Sequence, residues 1–207
     1  MHNLKYSPIN PDWFYSYLDI PNLEIIRQEL IVLVNSDIAG YRTNPTAYNI
    51  DGKTVMENCP ELEKYLKSHG IDKILNRLLI SRKMNNDGDK MVHVDSYDPR
   101  YAQKSLNLGL IDYEGSYTSW HKTDVQELYD SAPFGFDPVK NFAFIEVEKT
   151  QEIGRLVYDN RAAMINTTVL HKGNAQKDTR IIAGLRFVPE LDESDLKRMG
   201  IEQPYIQ

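Results

Sequence analysis

His93 and Asp95 lie two residues apart in the segment Met91-Val92-His93-Val94-Asp95. Side chains alternate along an extended chain, so an imidazole and a carboxylate at this spacing share one face while Val92 and Val94 take the other. Such a pair can hold one divalent cation, provided a third ligand arrives from elsewhere, and His171 is the best candidate. Two imidazoles and one carboxylate on one side of a cation leave the opposite positions open to exogenous ligands. Without a third ligand, His93 and Asp95 read as an exposed strand face or a local hydrogen-bonded pair.

His171 closes an apolar stretch, the polar turn Lys172 to Thr179 follows, and Arg180 opens another apolar strand. That hairpin is expected to set the Arg180 guanidinium a strand's width from His171. There it can grip a carboxylate through two parallel charge-assisted hydrogen bonds. Arg186 is its rival, because it shares the face of Arg180 three alternations further on.

The elements that must carry these groups are mostly strands. A helix is expected from Asn22 as N-cap through Leu23, Ile26, Leu30 and Leu33 to about Asn35-Ser36. Residues 37–58 read as polar and irregular, with a turn at Asp51-Gly52. Pro60 suits the first position of a second helix that Gly70 ends, and a short third helix is expected around Ile71, Ile74 and Leu75. Strands are then expected over 77–84, 90–95, around Leu106, Leu108 and Leu110, and over 116–122, 142–148, 153–158, 162–170 and 179–188. A helix-like piece lies at 123–129 and a Pro/Gly loop at 131–140. A last helix is expected at Glu193–Met199. Many short strands with turns between them, after a helical N-terminal third, make the fold mainly β: a double-stranded β-helix, or jelly-roll barrel, with flanking helices mostly from that third. One domain is expected over 1–207, with an extension at 1–59, a core at 60–188 and a tail at 189–207.

At this point the chain resembles the Fe(II)- and 2-oxoglutarate-dependent dioxygenases. Their pattern is His-x-Asp/Glu, a distal His, and an Arg or Lys some ten residues beyond it. His93, Asp95, His171 and Arg180 occupy those positions. Leu106-Asn-Leu-Gly-Leu110, Glu114 to Trp120, and Met164-Ile-Asn-Thr167 look like a small branch of that superfamily, and His171 to Ile182 is also similar to the aspartyl/asparaginyl β-hydroxylase-like proteins. The resemblance covers roughly residues 60–188. It implies Fe(II) on His93, Asp95 and His171, 2-oxoglutarate as co-substrate with its far carboxylate on Arg180, dioxygen as oxidant, and hydroxylation of a small molecule or an amino-acid or peptide side chain. Asn107, Tyr117 and Thr118 are further candidates for contacts to the co-substrate, against ordinary barrel packing. Trp120 and His121 either line the substrate side or read as a core Trp and an exposed His, the second being preferred. The loop Ser96 to Arg100 is either a lid or a plain turn.

A different class is a cupin-like barrel that binds a metal or a sugar without oxidation. Arg180 discriminates, since such a barrel needs no cation poised for a dicarboxylate. A metal hydrolase would want an added general base near the metal, and no residue of the sequence is singled out for that role. Of 207 residues, 41% are hydrophobic and 26% charged, as in ordinary soluble proteins. The net charge of -6 argues against duplex nucleic acid as partner. Cys59 is the only cysteine, which excludes an internal disulfide and fits a reducing, cytoplasmic compartment. No apolar run is long enough to span a membrane, and the first residues lack a signal-peptide core. Thirteen tyrosines fit either aromatic cross-strand pairs or an aromatic-lined cleft. The sequence leaves oligomeric state and substrate identity open.

Overall fold

The computed structural model describes residues 13–36, 47–84, 91–95, 103–124, 143–177 and 179–201. Its strands are β1 (Tyr15–Leu18), β2 (Ala47–Asp51), β3 (Leu75–Met84), β4 (Met91–Val94), β5 (Lys104–Ile111), β6 (Tyr117–Lys122), β7 (Ala143–Glu146), β8 (Gln151–Val157), β9 (Ala162–Asn166), β10 (His171–Asn174) and β11 (Thr179–Phe187). The helices are α1 (Leu23–Asn35), α2 (Gly52–Asn58), α3 (Pro60–Ser68) and α4 (Glu193–Arg198).

Two antiparallel sheets hold the strands. The larger runs β1-β9-β5-β11-β3-β2 and the smaller β7-β4-β10-β6-β8. From β3 to β6 the chain alternates between them, and it does so again from β8 to β11. The eight strands β3–β6 and β8–β11 thus form a double-stranded β-helix, with β1 and β2 extending the large sheet at its two edges and β7 extending the small one beside β4.

Alternation decides what each face meets. Along β11, Ile181, Ala183, Leu185 and Phe187 join the core beneath the helices, with Leu106, Leu108 and Leu110 of β5 and Leu78 and Ile80 of β3. Ile26, Leu30 and Leu33 of α1 and Leu62 and Leu66 of α3 close this core from outside. Each such fully buried side chain contributes roughly 1.5–3 kcal/mol. The opposite face of β11 carries Arg180, Ile182, Gly184 and Arg186 toward the small sheet. There Ile182 packs with Trp120, Leu156, Tyr158, Ala163, Ile165 and Val169.

Several expectations need correction. The stretch read as irregular contains β2, where Tyr48 and Ile50 are buried and Asn49 and Asp51 exposed. It also contains α2, capped by Asp51, whose side chain accepts from the Thr54 N–H. Residues around Ile71 form only a 3-10 turn, Asp72–Ile74, before β3. Residues 162–170 are not one strand. The chain leaves the large sheet after Asn166, whose Oδ1 accepts from the N–H and the hydroxyl of Thr168 at 2.9 and 2.7 Å. His171 therefore opens β10 rather than following a strand. Asn22 does precede α1, but its side chain donates to Glu61 instead of capping. The segment 125–142, and with it most of the expected helical piece and all of the Pro/Gly loop, lies outside the described residues, as does the loop 96–100.

Candidate metal centre

β4 and β10 are adjacent and antiparallel, with His93 directly opposite His171. Directly paired residues project to the same side of a sheet. The two imidazoles face each other with ring centres 4.6 Å apart. On the other face of β4, Val92 and Val94 are fully buried with Ile145 and Leu170, which fixes the register of His93.

Asp95 lies just past the end of β4, where its N–H donates to the Thr167 carbonyl at 3.2 Å. Its Oδ1 sits 3.3 Å from His93 Nε2 and 3.7 Å from His171 Nε2. Ligand atoms of His93, Asp95 and His171 all fall within 4.8 Å of one another, the only such group of His, Cys, Asp and Glu among the described residues. His171 Nδ1 lies 2.8 Å from the Val169 carbonyl. A carbonyl only accepts, so Nδ1 carries the proton and the Nε2 lone pair faces the centre. Burial, then the neighbouring His93, push the His171 pKa down to about 4, leaving it neutral near pH 7. Burial works to raise the Asp95 pKa, but the Arg186 guanidinium and the two histidines outweigh it and hold the carboxyl well below its usual range.

Arg180 is 4% exposed. It starts on β11 in the large sheet and crosses the interior, so the expected β10–β11 hairpin within one sheet does not exist. One terminal nitrogen donates to the carbonyls of Asn174 at 3.1 Å and Tyr117 at 3.3 Å, both on the small sheet. Its buried Nε, like that of Arg186, has no hydrogen-bond partner among the described residues. The guanidinium lies over Gly173, where a Cβ would come within 2.5 Å of its other terminal nitrogen. Near it is a buried polar cluster. Asn107 donates to the Tyr158 hydroxyl at 3.0 Å, Thr118 Oγ1 lies 3.1 Å from that hydroxyl, and Ser105 donates to Asn107 Oδ1 at 2.6 Å. Tyr117 differs: its ring lies under the Arg155 guanidinium at 4.1 Å, and only its backbone meets Arg180.

Arg186, on the same face of β11, pairs with Asp95 Oδ2 through one terminal nitrogen and donates to Thr167 Oγ1 at 3.1 Å through the other. Trp120 is core, as expected. His121 is buried rather than exposed, held between the hydroxyls of Ser119 and Thr150 at 2.9 Å each, and burial lowers its pKa. Tyr158 has no sequence signal of its own, and Thr167 is legible only as the end of the Met164-Ile-Asn-Thr167 motif, with no role attached. Their roles come from where β8 ends and where the chain turns after β9.

No protein-family profile matches this sequence, and no curated protein does. Solved structures do. Over 90% of its length, and 66% of the other chain, the protein is similar to prolyl 4-hydroxylases from Phytophthora capsici at 15% identity and a TM-score of 0.45. It is similar to the non-heme alpha ketoglutarate dependent carbocyclase SnoK from nogalamycin biosynthesis over 93% and 88% of the two chains, at 12% identity and a TM-score of 0.46. It is also similar to iron-bound HygX from Streptomyces hygroscopicus over 86% and 83%, at 9% identity and a TM-score of 0.42. What this site can do follows from its own atoms.

Proposed function

We propose that this protein is an Fe(II)- and 2-oxoglutarate-dependent dioxygenase that hydroxylates a small molecule or an amino-acid or peptide side chain. The observation that carries the reading is the convergence of His93 Nε2, His171 Nε2 and Asp95 Oδ1 at one point between the two sheets. The donor set fits the metal: two imidazole nitrogens and one ionised carboxylate oxygen suit a borderline cation such as Fe(II), and they come from one side only. The His171 Nδ1 bond to Val169 is the outer contact that metal-binding histidines ordinarily make.

The co-substrate assignment rests on Arg180. Gly173 is two residues from His171 along β10, so the guanidinium above it stands roughly 7 Å from the His171 position. That is the reach of a five-carbon diacid held at the metal by one end. Among the described residues no carboxylate pairs with Arg180, whose guanidinium meets the Asn174 and Tyr117 carbonyls and lies 5.6 Å from the Tyr158 ring centre. A buried cation in that state is costly unless an anion joins it. Arg186 does not compete for the role, because Asp95 occupies it. A barrel that only stores a metal has no use for Arg180.

In the turnover this reading implies, bound iron and 2-oxoglutarate supply the oxidising power, dioxygen being consumed as the co-substrate loses carbon dioxide to become succinate and a substrate C–H bond becomes C–OH. The chain's own residues orient and exclude. Arg180 fixes the far carboxylate. Ile182, Val169, Ile165 and Trp120 line the interior with apolar surface and keep water from the reacting end. Asn107, Thr118 and Tyr158 form the polar wall beside the guanidinium.

Anaerobic addition of Fe(II) and 2-oxoglutarate tests the reading. A weak visible charge-transfer band is expected, lost in His93→Ala. A wild-type protein that takes up Fe(II) and 2-oxoglutarate without such a band would sink it.

A further inference from the structure

Asp95 is held from two directions by two residues that also hold each other. Its N–H donates to the Thr167 carbonyl at 3.2 Å, and its Oδ2 accepts from Arg186. The other terminal nitrogen of Arg186 donates to Thr167 Oγ1 at 3.1 Å, closing the ring. Thr167 is itself pinned: its N–H and its hydroxyl both donate to the Gln103 carbonyl at 2.9 Å. Thr167 is fully buried and Arg186 is 6% exposed, so water competes weakly with these bonds. Asp95 needs such support because it stands beyond the last residue of β4, where no ladder partner sets its backbone among the described residues.

We propose that Arg186 and Thr167 are positioning residues that present Asp95 to the metal through one oxygen. Arg186 takes Oδ2, and only Oδ1 remains to face the two imidazoles. The planar fork of a guanidinium suits this task, since its two terminal nitrogens reach two acceptors at a fixed angle. A carboxylate released from the fork would be free to turn both oxygens to the metal and occupy a position that exogenous ligands need. The inference rests on the iron reading above and adds a role to residues outside the ligand set.

The full-length chain titrated anaerobically with Co(II) alone, without 2-oxoglutarate, separates the two ideas. Visible d–d bands report both affinity and coordination. Arg186→Gln is expected to weaken Co(II) binding on the order of 10- to 100-fold and to change the band shape of the saturated site. Thr167→Val should act in the same direction by a smaller factor, and Thr167→Ser should restore wild-type values. Adding Thr167→Val to Arg186→Gln should cost nothing further, because the two act as one unit. A residue needed only for folding would lower the melting temperature and leave the saturated spectrum unchanged. Folded Arg186→Gln with affinity within twofold of wild type and an unaltered spectrum overturns the clamp. If Arg186→Gln does not fold, the Thr167 pair decides: equal affinity for Thr167→Val and wild type overturns it. A wild-type chain that takes up no Co(II) overturns the metal reading itself, and the clamp with it.

Discussion

Arg180 and Arg186 stand at opposite ends of one strand face, and both reach across the interior to the small sheet. Arg186 ends on a carboxylate and a hydroxyl. Arg180 ends on two backbone carbonyls, and the Nε of each arginine has no hydrogen-bond partner among the described residues. The same residue type on one strand face is paired with a carboxylate in one place and with backbone carbonyls alone in the other. The difference lies in what the small sheet brings: Asp95, just past β4, opposite one end, and Gly173 of β10 opposite the other. A glycine there clears space for a guanidinium and offers it nothing to bind.

The comparison breaks most readily at Arg180. Arg180→Ala should weaken 2-oxoglutarate binding by roughly 3–4 kcal/mol, on the order of several hundred-fold, as expected when one partner of a buried charge pair is removed. Co(II) affinity without co-substrate should stay within twofold. Calorimetric titration of both ligands checks the split, and unchanged 2-oxoglutarate affinity would end the distinction between the two arginines.

The metal end should be visible in the pH dependence of stability. The His171 pKa, about 4 when folded, lies below its value near 6.5 when unfolded. The unfolded chain therefore binds the proton more readily, and stability falls as pH drops from about 6.5 to about 4. The difference of about 2.5 units corresponds to about 3 kcal/mol. Asp95 acts lower: its folded pKa is depressed, so its contribution is present above about 3.9 and lost as pH falls further. Urea unfolding of metal-free protein across this range should show the slope, and His171→Asn should flatten it between pH 6.5 and 4.

A smaller effect sharpens the Arg180 end. In Gly173→Ala the new Cβ would lie 2.5 Å from the Arg180 terminal nitrogen, so the guanidinium must move. Overpacking of this kind costs about 1–3 kcal/mol. A loss of 2-oxoglutarate affinity on the order of tenfold is expected, with Co(II) binding preserved. Equal losses for both ligands would mean that the two ends are not independent.

Part of this was legible from the chain alone. His93 and Asp95 share a side because extended backbone repeats every two residues, and Val92 and Val94 mark which side is buried. Leu106, Leu108 and Leu110 against Ser105 and Asn107 show the same rule. Both are local. The break after Asn166 was not legible, because Asn166, Thr167 and Thr168 stand between the apolar pairs Met164-Ile165 and Val169-Leu170 without a Gly or Pro, and it is the hydrogen bonds from Thr168 to the Asn166 side chain that turn the chain. His121 looked like a solvent-facing strand residue, yet hydroxyls from β6 and from Thr150 enclose it. β2 was hidden by its brevity, with Tyr48 and Ile50 as its only inward apolar positions.

The sequence by itself determined the candidate ligands, the strand that carries two of them, and the mainly β architecture, since these follow from residue type and a two-residue period. Only the tertiary structure decided that His171 opens a strand opposite His93, that Arg186 pairs with Asp95, and that Arg180 meets backbone carbonyls and no carboxylate among the described residues. Those facts depend on which strands face each other across the interior, and residues far apart in the chain meet there only after both sheets have formed.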